Sequence, residues 1–388
     1  MIPPDILMIP SFFITINIAK TKKISKKKYP ILYQMTRVRK ELQKTDIRLL
    51  TQTELCDFVS KNGEKPFRSK QLYQWLWKHF IESFNDINNI PKTFVSVIEK
   101  NFNLTVSELI SQEEADDGTL KMGFKLYDGE IIEAVLIPAS SRLTACISSQ
   151  AGCPVKCNFC ATGMMGFKRN LSTPEIYAQF VKLNQIALHK FGTNITNIVI
   201  MGMGEPLLNY EQIKRFINII NSSEGHNFSS KRITLSTVGI PDGIKKMADD
   251  NIKVKLAVSL HAPTNEKRNM LIPINKTYPI ETLFECLQYY YKKTKNLITF
   301  EYVLLRDFND SRTNALQLAT LCRKIPCKVN VIEFNTFEGV KYQKSEETIT
   351  ANFCRILGEQ GINCLLRKSK GNTISAACGQ LSNSFIKD

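Results

Sequence analysis

The chain has 388 residues, 43% hydrophobic and 23% charged, with a formal charge of +16 and eleven cysteines. This apolar content excludes a disordered chain, and a long chain with an odd cysteine count is not a secreted disulfide framework. The cysteine usage fits a reducing cytoplasm, and the positive charge favours an anionic partner, nucleic acid first.

Half of that charge is local. Residues 1–44 hold ten Lys/Arg and two Asp/Glu, a balance of +8, so the remaining 344 residues carry only +8. Ile6 to Ala19 is apolar but interrupted by Pro10, and too short to span a bilayer. The basic run Lys20 to Lys28 follows this stretch, whereas a signal peptide carries its charge before it. Met35 begins a more ordinary sequence. Residues 1–44 are expected to be a flexible basic extension or a misassigned start. No later run reaches about 18 apolar residues, so no membrane span is expected.

Residues 45–110 read as a small helical domain. Apolar residues fall at helical spacing over 51–60 and 69–80. Arg68, Lys70 and Lys78 are candidates for phosphate contacts, and Trp75 and Trp77 are expected in the core. Over 111–143, Asp117-Gly118 and Asp128-Gly129 are turn signals around two short strands, 119–126 and 130–138. They predict a hairpin linker leading into the main domain. Glu133 interrupts the second strand, where the simple reading is an acid on the solvent face.

From residue 144 to about 382, strand-like and helix-like stretches alternate. Strands are expected at 195–201, 232–236, 254–259, 298–304 and 329–334, with helices at 174–190, 211–221, 241–249, 280–293, 311–323 and 345–359. Such alternation predicts an α/β fold of parallel strands joined by crossover helices, with ligands at the carboxyl ends of the strands.

The most informative stretch opens this domain. Cys153, Cys157 and Cys160 stand at C-x3-C-x2-C spacing. Three thiolates turned to one point suit an iron–sulfur cluster and leave one iron without a protein ligand. A zinc knuckle or three core thiols are the alternatives, but no second C-x2-C or nearby His completes a zinc set. The remaining candidates fall at predicted strand ends: Gly204 and Glu205 in Gly202-Met203-Gly204-Glu205-Pro206, Ser236, then Ser259-Leu260-His261, then Asn335. Glycines admit a ligand close to the backbone and Glu205 can accept from an ammonium, though each polar residue could equally cap a helix. Cys378 lies in Ala376-Ala377-Cys378-Gly379-Gln380-Leu381 and alone would read as a core residue.

Together these motifs resemble one family. The three-cysteine loop is similar to the signature of radical S-adenosyl-L-methionine (SAM) enzymes. The wider string from Cys146 through Gln150-Ala151-Gly152-Cys153 to Cys160-Ala161-Thr162-Gly163 resembles the RlmN/Cfr RNA adenine methyltransferases, as do the Gly-Glu-Pro turn, Ser-Leu-His and Ala-Ala-Cys-Gly-Gln-Leu, in that order. The resemblance covers about residues 44–382. It implies a partial (β/α)6 radical SAM barrel with a small N-terminal helical domain that helps grip RNA.

The resemblance also implies roles. Cys153, Cys157 and Cys160 would hold a 4Fe-4S cluster, and Gly204, Glu205, Ser236, Ser259, Leu260, His261 and Asn335 would contact SAM. Cys378 would take a methyl group from one SAM. A second SAM, cleaved reductively to a 5′-deoxyadenosyl radical, would activate that methyl for addition to an adenine ring carbon that is not itself nucleophilic. Glu133 would remove the ring proton, and Cys146 would attack Cys378 to release product and leave a disulfide. The implied substrates are C2 of an adenine of 23S rRNA in the peptidyl-transferase centre and of adenine 37 in tRNAs, with a reductant such as flavodoxin, in a cytoplasmic monomer. A Cfr-like C8 methyltransferase conferring antibiotic resistance, and a non-catalytic metal-containing RNA-binding protein, are the alternatives. Glu-Pro rather than Glu-Ala after Gly204 points to the RlmN branch.

Overall fold

The structure is a computed structural model and describes residues 44–382. The basic extension expected before Lys44 lies outside the described residues. Strand β1 (Thr45–Asp46) pairs in parallel with β2 (Phe102–Asn103) and brackets a helical block: α1 (Gln52–Lys61), α2 (Phe67–Gln74) and α3 (Lys92–Asn101). A capping box starts α1, with Glu54 N–H donating to the Thr51 hydroxyl and Thr51 N–H to the Glu54 carboxylate at 2.7 Å. After α2 the chain makes one π-type turn, Trp75–His79. Residues two apart on a helix lie on different faces, so the two tryptophans part company. Trp77 is core, 1% exposed, while Trp75 stays half-buried and its Nε1 donates to Asn89 Oδ1 at 2.6 Å. Trp77 meets Tyr177 edge-on, centroids 5.1 Å apart, and the Tyr177 hydroxyl donates to the Trp77 carbonyl. Arg215 donates to the Arg48 and Leu49 carbonyls at 2.7 Å each. The block is thereby joined to the main sheet's helices.

The main sheet starts with an antiparallel meander: β3 (Glu108–Glu114), β4 (Leu120–Lys125), β5 (Ile131–Ala139) and β6 (Arg142–Cys146). The expected hairpin is β4–β5. Strand β3 starts inside the stretch expected to be the end of the helical block. Its alternating, half-exposed, acid-rich pattern is that of an edge strand, which weakens its sequence signal. A separate ribbon, β7 (Gln150–Gly152) with β8 (Phe167–Asn170), frames the cysteine loop, which leads into the short helix α4 (Ala161–Met164).

Beyond β6 the sheet is parallel: β9 (Asn197–Ile200), β10 (Ile233–Thr237), β11 (Lys255–Ser259), β12 (Ile298–Leu304), β13 (Cys327–Glu333) and β14 (Cys364–Arg367). Six crossover helices join them: α5 (Thr173–Phe191), α6 (Tyr210–Asn221), α7 (Pro241–Asp249), then, after the short α8 (Asn265–Leu271), α9 (Ile280–Thr294), α10 (Arg312–Cys322) and α11 (Glu347–Glu359). The order β14-β13-β12-β11-β10-β9-β6-β5-β4-β3 leaves β14 and β3 as unjoined edges, so the barrel is partial. Parallel strands covered by helices are apolar along their length, and β12 is buried at every residue. Among the described residues no helix is long and apolar enough to cross a membrane.

Candidate active site

One cavity opens at the carboxyl ends of the parallel strands, and the cysteine loop forms one wall. The loop is built tightly. Cys153 N–H donates to the Gly166 carbonyl at 2.8 Å, Cys160 N–H to the Cys157 carbonyl, and Lys156 takes a left-handed turn at φ +57°. Asn158 straps the loop to α8, its N–H donating to the Leu271 carbonyl and its Nδ2 to the Met270 carbonyl. All three thiols line the cavity. Burial pushes Cys153 up to about 12, Cys157 well above the usual thiol range and Cys160 up as well. As bare groups they would stay protonated, and only a bound cation or cluster would make ligating thiolates of them. Among the described residues no three His, Cys, Asp or Glu side chains converge on one metal ion. A donor set of three soft sulfurs lining a shared cavity fits a 4Fe-4S cluster better than a single zinc.

The facing walls carry the strand-end residues. After β9 the chain turns at Gly204, whose φ is +100° and where a Cβ would stand 2.6 Å from Gln150 Cβ. Glu205 is 2% exposed, and its carboxylate accepts from Leu207 N–H at 3.0 Å and Val238 N–H at 2.8 Å. Burial pushes it up to about 7 against those hydrogen bonds. Ser236, Ser259 and His261 line the same space. His261 Nδ1 accepts from Val303 N–H at 3.1 Å, and burial with the Arg268 charge pushes the ring down to about 3. It is a neutral, fixed imidazole, in keeping with a ligand wall rather than proton transfer.

Cys378 and Cys146 complete the lining. The segment bearing Cys378 is pinned over the cysteine loop: Ala161 N–H donates to the Gly379 carbonyl at 2.7 Å and the Thr162 hydroxyl to the Leu381 carbonyl at 2.7 Å. Cys378 faces the cavity and Cys146 is 8% exposed. Burial pushes Cys146 up to about 12, the nearby Cys378 adding to this and Arg367 opposing it. Cys378 is exposed overall, and it is the cavity wall around its sulfur that raises the thiol, against Arg367.

Three expected residues do not line the cavity. Leu260 is fully buried, contributing its backbone only. Asn335 turns its Nδ2 to the Cys378 carbonyl at 3.3 Å. Glu133 is 0% exposed, with Oε2 accepting from Ser382 N–H at 3.0 Å and Oε1 3.9 Å from Lys121 Nζ. Glu133 therefore does not point to solvent, as its strand pattern alone suggested.

Sequence reasoning missed Glu301 and Arg367, which line the cavity on β12 and β14. Asn330 donates to Glu301 Oε1 at 2.9 Å, and Arg367 stands 4.0 Å from Oε2. Glu301 carried the same signal as Glu133, an acid within an apolar strand. Arg367 carried none.

Comparison with known proteins agrees with this geometry. Residues 147–319 match the radical SAM superfamily, and residues 45–103 match the ribosomal RNA large subunit methyltransferase N-terminal domain. The chain is 44% identical over 347 residues to a probable dual-specificity RNA methyltransferase RlmN of Cytophaga hutchinsonii, covering 89% of this chain and 95% of that protein. The chain belongs to the RlmN family. A second RlmN relative, from Thermotoga maritima, is 43% identical over 87% of this chain and 97% of its own length. The crystal structure of a radical SAM methyltransferase from Sphaerobacter thermophilus superposes with a TM-score of 0.82 at 40% identity, covering 87% of this chain and 99% of that one. The fold is thus the radical SAM α/β barrel of RlmN enzymes, and the chain is a radical SAM methyltransferase of this family.

Proposed function

We propose that this RlmN-family enzyme methylates C2 of an adenine in the peptidyl-transferase centre of 23S rRNA and of adenine 37 in tRNAs, in the cytoplasm and as a monomer, through a methyl-cysteine intermediate. The observation that carries this reading is the shared lining: Cys378 and Cys146 face the same cavity as the three cysteines of the loop.

Cys153, Cys157 and Cys160 would hold the cluster, which when bound supplies the electron that cleaves SAM. Glu205 would accept from the SAM ammonium, with Ser236, Ser259 and His261 packing against the rest. The Cys378 thiolate displaces the methyl from one SAM, forming an S–CH3 bond and releasing S-adenosylhomocysteine. Arg367 offsets the burial that disfavours this thiolate. After the methyl carbon has bonded to adenine C2, Glu133 takes the ring proton. Glu133 is buried outside the cavity lining, so this step calls for a shift of the Cys378 segment, whose Ser382 N–H donates to Oε2, when RNA binds. Cys146 then attacks the Cys378 sulfur. The S–C bond breaks with its electron pair on the product carbon, which takes a proton to become the methyl group. The one electron left over from the radical addition would return to the bound cluster. A Cys146–Cys378 disulfide remains, which a flavodoxin-class reductant or a thiol must reduce.

Anaerobically reconstituted protein, incubated with SAM, reductant and unmodified 23S rRNA, should yield 2-methyladenosine on nucleoside mass spectrometry. Finding 8-methyladenosine would move the enzyme to Cfr-like chemistry. Finding 5′-deoxyadenosine with neither nucleoside would reject these substrates, and finding none of the three would reject radical SAM catalysis.

A further inference from the structure

Arg268 on α8 is the feature the reaction scheme leaves unused. It is 1% exposed, one of the largest fully buried side chains described. Its guanidinium donates only to neutral groups: Nε to the Leu260 carbonyl at 3.2 Å, Nη1 to Asn275 Oδ1 at 2.6 Å, and Nη2 to the Val238 and Ser259 carbonyls. No carboxylate pairs with it among the described residues. A buried guanidinium without an anion is costly, because carbonyl dipoles replace only part of its hydration. An anion brought beside it would offset that cost.

The ionisable neighbours that act on it are two. His261 is neutral, its ring pushed down to about 3 by burial and by Arg268 itself. The other is Cys157, the central cysteine of the loop. Leu271 and Ile272, at the end of α8, pack with Cys157 in one apolar cluster, and Asn158 ties that helix to the loop through two hydrogen bonds. The helix that bears Arg268 is therefore held against the cysteine loop, while the guanidinium is fixed at the ends of β10 and β11.

We propose that Arg268 is a positioning residue that serves as the fixed counter-charge of the three-cysteine cluster site and makes the cluster bound there easier to reduce. The inference rests on the cluster reading given above. Three thiolates around a cluster carry net negative charge, and one more electron adds to it. A cation fixed in a low-dielectric wall favours the more negative state. Asp or Glu at this place would do the reverse.

The test uses the full chain, reconstituted anaerobically with iron and sulfide, comparing wild type with Arg268→Gln and Arg268→Lys. The readouts are iron and sulfide content and the midpoint potential from a titration followed by electron paramagnetic resonance. Gln should shift the reduction equilibrium at least tenfold toward the oxidised form, about 59 mV for one electron. Lys keeps the charge but loses the fork that spans four acceptors, so its potential should stay near wild type. Cluster retained by Lys and lost by Gln would also support the proposal. An unchanged potential in loaded Gln protein overturns it. So does an equal shift, or equal loss of cluster, in both variants, which would make Arg268 an anchor of the strand ends and nothing more. Failure of the wild type to take up a cluster would instead overturn the reading of the cysteine loop.

Discussion

The backbone N–H of Ser382 donates to Glu133 Oε2 at 3.0 Å, joining the carboxylate on β5 to the segment that carries Cys378. The candidate base is thus tied by a hydrogen bond to the segment that carries the candidate methyl carrier. Replacing Glu133 with Gln keeps an acceptor for Ser382 but removes the base. General base catalysis typically contributes about 10²–10⁴-fold, so methylated adenosine should form at least about a hundred times more slowly. Formation of 5′-deoxyadenosine should persist. Wild-type rates of methylation in this variant, measured by nucleoside mass spectrometry, would remove Glu133 from the mechanism.

Cys146 should act after carbon–carbon bond formation. Cys146→Ala should therefore accumulate a covalent protein–RNA species through Cys378, visible as a retarded band that survives denaturation. Cys378→Ala should give neither that band nor methylated RNA. Normal turnover by Cys146→Ala would exclude the disulfide-release step.

Glu205 supplies a pH dependence. Burial raises its carboxyl from the ordinary range to about 7, so the folded protein binds this proton more tightly than the unfolded chain does. Its contribution to stability is complete below the ordinary carboxyl pKa and is lost as pH rises toward 7. Binding of an ammonium has the opposite sign, because it needs the ionised form. SAM affinity, measured by equilibrium dialysis, should improve as pH rises through 7, weakening by about tenfold for each unit below it. Glu205→Gln should bind SAM weakly at every pH. An affinity independent of pH in wild type would separate Glu205 from the ammonium.

Much of this was legible in the sequence. The parallel strands and their crossover helices follow from apolar runs alternating with helical spacing, and the helix Pro241–Asp249 coincides with its expected bounds. The cysteine loop was legible because three cysteines lie within eight residues. What the sequence hides is orientation. Strand pattern could not tell whether Glu133 faced solvent or a packed interior, because either satisfies alternation on one side only. Arg268 sits in the polar helix Asn265–Leu271, where an arginine ordinarily faces water. Its burial is set by long-range packing of α8 on the cysteine loop, to which local propensity is blind.

The turn at Gly204 gives a prediction about the scaffold itself. A side chain here is disfavoured twice. The backbone φ of +100° belongs to the region that L residues avoid, and a Cβ would approach Gln150 Cβ to 2.6 Å and Gln150 N to 2.8 Å. Gln150 cannot yield easily, since its Oε1 accepts from Glu205 N–H at 2.8 Å and its Nε2 donates to Asn170 Oδ1 at 2.8 Å. Gly204→Ala should therefore lower stability by about 1–3 kcal/mol or more, read as a fall in Tm. It should also weaken SAM binding, because Glu205 is displaced with the turn. Gly63, whose added Cβ would meet nothing within 4 Å, is the matched control: its φ of +76° carries the backbone penalty alone. Gly63→Ala should cost less stability and leave SAM binding unchanged. Equal effects on SAM binding at the two sites would show that the close approach at Gly204 does not position Glu205.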